Sequence, residues 1–214
     1  MKNSFTTQFE KALKENKKAD AHRLMTEHTV DKATLINVYE SVVPEILNSI
    51  DCQENDAACI WLEHQMSAIV RSVVESSYPQ VLAYQSRLTP KKHVLIACLK
   101  EETHELGAII GAHLFELYGF KTTYVGANTP LFTLENALVQ LKPDYLVLSV
   151  TNMYNLFEMH KVITKLRDHF PELPIYGAGR GAFLNQHKLS LEGVISGSKD
   201  IEALIAKEGL TCSH

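Results

Sequence analysis

Apolar residues follow a helical period through the first 88 residues and a different pattern afterwards. Phe5, Phe9 and Leu13, then Ala21, Leu24 and Met25, recur at three- and four-residue intervals, and Leu35, Val38, Val42, Ile46 and Ile50 form a longer stripe. Pro44 falls inside that stripe, where its missing N–H predicts a kink or a break. Ala58, Trp61, Met66, Ile69, Val70, Val73 and Val74 supply a further stripe, on which a large apolar residue such as Trp61 is ordinarily core. About four helices with short connections predict a small helical bundle over residues 1–88.

From Thr89 the pattern shifts. "LTPKK" reads as a short polar linker, which places a second domain at residues 89–214. Apolar runs then alternate with helical patterns. Strands are predicted over His93–Leu99, Lys121–Val125, Tyr145–Ser149, Ile175–Tyr176 and Gly193–Ser196, with helices over Glu105–Tyr118, Leu131–Leu141, Leu156–Phe170 and Lys199–Lys207. Unbroken runs such as "YLVLS" suit a parallel sheet covered on both faces. The predicted fold class is α/β: an N-terminal helical bundle, then a flavodoxin-like (Rossmann-like), doubly wound, five-stranded parallel sheet.

Composition narrows the function classes. The chain carries a net charge of −4, and no Lys/Arg stripe is present to replace phosphate counterions, which argues against direct nucleic-acid binding. No apolar stretch reaches membrane-spanning length and the N-terminus is too polar for a signal peptide, so a cytoplasmic location is expected. Cys52, Cys59, Cys98 and Cys212 show no metal-binding spacing. Cys52 and Cys59, seven positions apart in a helical pattern, are expected to be two buried thiols rather than a disulfide or a zinc site.

Candidate chemistry gathers at the carboxyl ends of the predicted strands, where open parallel sheets bind ligands. Three loops meet there: Lys100–Leu106, Ser149–Asn155 and Tyr176–Ala182. His104 is the most reactive candidate there, since an imidazole is a good ligand for cobalt, iron or zinc, and Glu102 is placed to accept its second ring N–H and raise its basicity. Gly107 lets the backbone approach something bulky at the helix start. The competing reading is a helix-start histidine whose acidic neighbours complement the dipole. A zinc set is incomplete, because His113 lies two turns along the helix and His93 at the far end of the strand. "GAGRG" follows the fourth strand and lacks the helix-opening glycine pattern of a phosphate cradle.

Together these loops resemble cobalamin-binding domains. Glu102-Thr103-His104-Glu105-Leu106-Gly107 is similar to the D/E-x-H-x-x-G signature of that family, Ser149-Val150-Thr151 to its S-x-L/T element, and Gly177-Ala178-Gly179 to its paired glycines. The resemblance implies that His104 is the lower axial ligand to cobalt, with Glu102 behind it. It implies that Ser149 and Thr151 contact the displaced nucleotide tail, and that Gly177 and Gly179 leave room for it. The helical half resembles the cap of MerR-type light-sensing transcription regulators (the CarH/LitR class), whose W-x9-E-H motif covers the upper face of the corrin. Glu63-His64 matches the E-H, whereas Gln53 stands at the Trp position, Glu54 follows it, and Trp61 lies on the E-H helix itself. The resemblance thereby implies that Glu63 and His64, with Trp61 on the same helix, face the upper ligand.

The function expected from this reading is a stand-alone cobalamin-binding sensor, or a photoreceptor-like regulatory module, rather than an enzyme, with no catalytic residues of its own. No helix-turn-helix precedes the bundle, so output is expected through a protein partner such as a transcription regulator, or through a change of oligomeric state. The upper ligand is left open among adenosyl, methyl and hydroxo. One alternative is a corrinoid methyl carrier serving a methyltransferase, although its usual "DxHDIGKN" loop reads "ETHELGAI" here. Another is a haem sensor on the same fold, with His104 as the iron ligand.

Overall fold

The computed structural model describes residues 4–53 and 56–213, which form two compact units, Met1–Tyr84 and Gln85–His214. Each unit has its own hydrophobic core.

The first unit is helical: α1 (Ser4–Lys14), α2 (Lys18–His28), α3 (Lys32–Asn37), α4 (Val43–Asn48), α5 (Ala57–Ser76) and α6 (Tyr78–Tyr84). The sequence stripes form its core, with Phe9, Leu13, Ala21, Leu35, Val38, Ile46, Met66 and Val70 fully buried. Between α3 and α4 the helix continues through a π-helical turn, Val38–Val42. Pro44 sits in the first turn of α4 with no N–H to give, and the Val43 amide reaches back five residues to the Val38 carbonyl. The proline therefore widens the helix for one turn. Capping fixes two helix starts: the Asp31 carboxylate accepts from the Thr34 amide and the Asp56 carboxylate from the Cys59 amide. His22 on α2 lies between Ser72 and Ser76 of α5, within 3.1 and 2.9 Å of their hydroxyls.

One sequence expectation fails in this unit. Cys52 and Cys59 form a disulfide, not two buried thiols. Cys52 lies before α5, not on it, and the chain returns it to within 5.4 Å (Cα–Cα) of Cys59 in the first helical turn. Trp61 on α5 is 65% exposed, so of its two readings the core one is excluded. Reduction of the cystine is expected to lower the helical unit's stability by about 2 kcal/mol, the loop-closure entropy of so short a loop. Thermal denaturation with and without a dithiol reductant measures it.

The second unit is built on β2 (His93–Cys98), β3 (Lys121–Tyr124), β4 (Tyr145–Ser149), β5 (Ile175–Ala178) and β6 (Gly193–Val194), all parallel, in the order β3-β2-β4-β5-β6. Every residue of β2 and β4 is buried, as their unbroken apolar runs require. The connecting helices are α7 (Leu106–Leu117), α8 (Leu131–Leu141), α9 (Leu156–His169), α10 (Gly179–Asn185) and α11 (Ser198–Lys207). A short antiparallel ribbon of β1 (Arg87–Thr89) and β7 (Thr211–Ser213) joins the two ends of the unit, with Leu88 opposite Cys212. Sequence periodicity does not reveal this ribbon, since three-residue strands carry no readable period. Among the described residues no helix is long and apolar enough to cross a membrane.

Strand order reverses between β2 and β4, so the loops after these two strands flank the crevice where such sheets bind ligands.

Candidate functional site

The loop after β2 is organised around one carboxylate. Glu102 is fully buried, which for an acid requires several donors. Its Oε1 accepts the His104 amide at 3.0 Å and meets His104 Nδ1 at 2.6 Å. Its Oε2 accepts the amides of Thr151 and Asn152, both at 2.9 Å, and the Asn155 side-chain amide at 3.3 Å. Burial pushes the Glu102 carboxyl up, but the Asn152 and His104 amides, the His104 ring and the Thr151 amide outweigh it, and the group lies below its usual value. An ionised carboxylate can only accept, so Nδ1 of His104 carries a hydrogen, and in the neutral ring the lone pair is therefore on Nε2. The His104 side chain is 61% exposed, while the carboxylate that holds its Nδ1 is fully buried.

Beneath this loop lies a second group of polar side chains. Tyr124 at the end of β3 donates to Glu105 Oε2 at 2.8 Å, and its hydroxyl lies 3.7 Å from Cys98 Sγ. Burial pushes the Cys98 thiol up to about 11, so it stays protonated and unreactive. Burial, with Cys98 and Glu105 nearby, raises the Tyr124 hydroxyl as well and keeps it a donor.

The remaining expected residues fall as follows. Ser149 ends β4, is buried, and lies opposite Cys98 in the register of the sheet. Thr151 contributes its backbone amide to Glu102. A Cβ on Gly107 would meet nothing within 4 Å, so the start of α7 presents open space beside the His104 loop. Gly179 is needed for packing, since at φ +84° a Cβ there would stand 2.7 Å from the Val150 carbonyl oxygen, whereas one on Gly177 would meet the movable end of Leu191 at 2.9 Å. On the helical unit, Trp61, Ala57, Ile60 and His64 line one shallow depression on α5. Glu63 accepts from Ser67 at 3.0 Å and lies 3.8 Å from His64. Gln53, at the Trp position of the W-x9-E-H pattern, is exposed, and Glu54 lies outside the described residues.

Sequence reasoning missed several residues at the site. Asn155, in the β4–α9 connection, and Tyr124, at the end of β3, bond to it. Gly181, like Gly179, lets α10 approach the Val150 carbonyl. Met153 and Tyr154, directly after Asn152, and Phe157 in the first turn of α9 are exposed, Tyr154 at 92%, which gives the rim an apolar surface. The only available signal was apolar residues where a surface loop favours polar ones.

The donor set indicates what kind of metal fits. Among the described residues no group of three or more His, Cys, Asp or Glu side chains could hold a bare ion. A single exposed imidazole, backed by a buried carboxylate and flanked by open space at Gly107 and an apolar rim, suits a metal that brings its own equatorial ligands in a macrocycle.

A switch-point crevice in a parallel α/β sheet, with one histidine presented above a saturated carboxylate, defines a binding domain for a large metal-bearing cofactor. Residues 92–203, more than half of the chain, match the model of the B12 binding domain, and the chain belongs to that family. Cobalamin, or a related corrinoid, is accordingly the cofactor class of this domain. The chain is 26% identical over 153 residues to the HTH-type transcriptional repressor CarH of Myxococcus xanthus, which covers 71% of this chain and 50% of that protein. It is 30% identical over 121 residues to CarA of the same organism, covering 56% of this chain and 40% of that one. The chain thus spans half or less of the length of these relatives. Its fold is similar to that of the Methanosarcina barkeri monomethylamine corrinoid protein, with a TM-score of 0.72 at 12% identity over 94% of this chain and 96% of the other. A cobalamin-binding protein from Desulfitobacterium hafniense DCB-2 matches with a TM-score of 0.51 at 13% identity, over 95% of this chain and 98% of the other.

Proposed function

We propose that this protein is a cobalamin-binding sensor module in which His104 Nε2 is the lower axial ligand to cobalt and Glu102 holds the imidazole in the ligating tautomer. The observation that carries this reading is the 2.6 Å contact between Glu102 and His104 Nδ1, which leaves Nε2 free on an exposed ring. When bound, the corrinoid would supply a cobalt centre whose ligand state can be sensed. The chain's own residues orient and shield. Glu102 fixes the ring, Gly107 leaves the approach open, and Met153, Tyr154 and Phe157 offer apolar surface. Ser149, Thr151, Gly177 and Gly179 are assigned to the nucleotide tail, and Trp61, Glu63 and His64 to the upper ligand. The sequence similarity to CarH and CarA supports a regulatory output, read by a protein partner such as a transcription regulator or by a change in oligomeric state.

The test is reconstitution with adenosyl-, methyl- and hydroxocobalamin and with haemin, recorded in the dark and after illumination beside His104→Ala. Cobalamin is expected to bind with a protein-imidazole axial spectrum, and His104→Ala to lose that spectrum and roughly 100-fold in affinity. Equal binding and an unchanged spectrum in His104→Ala would sink the ligation; binding of haemin alone would replace cobalamin by haem. A spectrum and oligomeric state indifferent to light would remove the photoreceptor form of the sensor. A second reading, a methyl carrier between methyltransferases, is supported by the fold shared with the monomethylamine corrinoid protein along nearly the whole of both chains. Methyl transfer from a methylamine or methanol donor with a partner enzyme would establish it.

A further inference from the structure

The backbone of Glu101 adopts a left-handed conformation, φ +67°, unusual for a residue with a side chain. Such a conformation persists only where the surroundings hold it, and here both of its peptide groups are held from outside the loop. The Glu101 amide donates to Asn128 Oδ1 at 2.8 Å, from the β3–α8 connection. The Glu101 carbonyl accepts the Asn155 side-chain amide at 3.3 Å, from the β4–α9 connection. The same Asn155 amide reaches Glu102 Oε2, and the Asn128 amide donates to the Glu102 carbonyl at 3.0 Å. Asn128 is itself left-handed, φ +52°, a conformation asparagine tolerates better than most residues. Asn155 is buried, with 7% of its surface exposed, so its amide has few alternative partners. Two loops distant in sequence thus grip the residue from which the chain turns into Glu102 and His104.

We propose that Asn128 and Asn155 are positioning residues for the ligating loop: they hold Glu101 left-handed so that Glu102 and His104 are presented in one orientation before the cofactor arrives. Preorganisation of this kind raises affinity by removing the ordering cost from the binding step. The inference rests on His104 being the axial ligand.

Three variants separate the roles. Asn128→Asp keeps the acceptor and tolerates a left-handed backbone; Asn128→Gly keeps the backbone freedom and loses the acceptor; Asn155→Ala loses the donor. In the cofactor-free proteins, hydrogen exchange of the Glu101 amide is expected to be slow in the parent and Asn128→Asp and fast in Asn128→Gly. Hydroxocobalamin affinity is expected to fall about 10-fold in Asn128→Gly and Asn155→Ala and to stay within about 2-fold in Asn128→Asp. With protein carrying nitrogen-15 histidine, electron paramagnetic resonance of the bound Co(II) form reports the fraction ligated by a protein imidazole. That fraction is expected to drop in the two impaired variants at saturating cobalamin. Variants that melt earlier but bind with parental affinity and a full imidazole-ligated fraction would overturn the positioning role. Absence of the labelled-imidazole splitting in the parent protein would instead overturn the axial assignment of His104, and the two failures are thereby distinct.

Discussion

Glu102→Gln is expected to destabilise the second unit by roughly 3 kcal/mol at neutral pH, measured by chemical denaturation, because a carboxamide cannot accept at both of its heavy atoms. Oε1 serves the His104 amide and ring, and Oε2 serves the Thr151, Asn152 and Asn155 amides. Whichever way the new amide is turned, one set of buried donors faces an N–H₂ group. The pH dependence follows from the same geometry. The folded carboxyl lies below its ordinary value, so the unfolded chain binds more protons in the acid range. The stability contributed by Glu102 is complete above the unfolded carboxylate value, about 4.3, and is lost as the pH falls through the lower folded one. Parent protein should therefore lose stability below about pH 4.3 more steeply than Glu102→Gln. A variant within about 1 kcal/mol of the parent, with the same acid limb, would show that the carboxylate is not the organising group of the loop.

Gly179→Ala is expected to have a comparable effect for a different reason. The residue has φ +84°, and its new methyl would meet the Val150 oxygen at 2.7 Å and the Val150 carbonyl carbon at 2.9 Å, both backbone atoms that cannot swing away. Left-handed strain of about 1–2 kcal/mol and overpacking of a similar size together predict a loss of roughly 2–4 kcal/mol in the second unit. Gly107→Ala provides the contrast. Its methyl enters open space in the first turn of α7, so stability should be unchanged or rise by up to about 1 kcal/mol. Cobalamin affinity should fall if that space receives the cofactor. Denaturation curves and a cobalamin titration on both variants distinguish a glycine required by the fold from one kept for a ligand. Equal stability of the two variants would contradict this division.

The candidate loops themselves were legible because local chemistry was out of place. Three acids and a histidine between an apolar strand and an apolar helix have no packing use, and the strand pattern located them at the carboxyl edge of the sheet. Glu102 as the partner of His104 was also readable, since the two are only two residues apart. For Trp61 the core and ligand-facing readings stood side by side, because helical spacing alone does not say which face of α5 the unit covers. The cystine was misjudged because Cys52 was placed on the helix, whereas the chain breaks before the Asp56 cap and turns back. Gly177 and Gly179 were read as space for a ligand, and the structure shows in addition that the close approach of α10 to the end of β4 requires Gly179.

Periodicity and composition were sufficient for the helical half, the parallel sheet and the loop that carries His104, because each depends on interactions between residues near in sequence. The saturation of Glu102 and the left-handed grip on Glu101 depend on Asn128, Thr151, Asn152 and Asn155, and the contacts to Glu101 span 27 and 54 residues. Those separations are set by strand order. Only when β2 lies between β3 and β4 do the loops after all three converge, and a donor in one then becomes the partner of an acceptor in another.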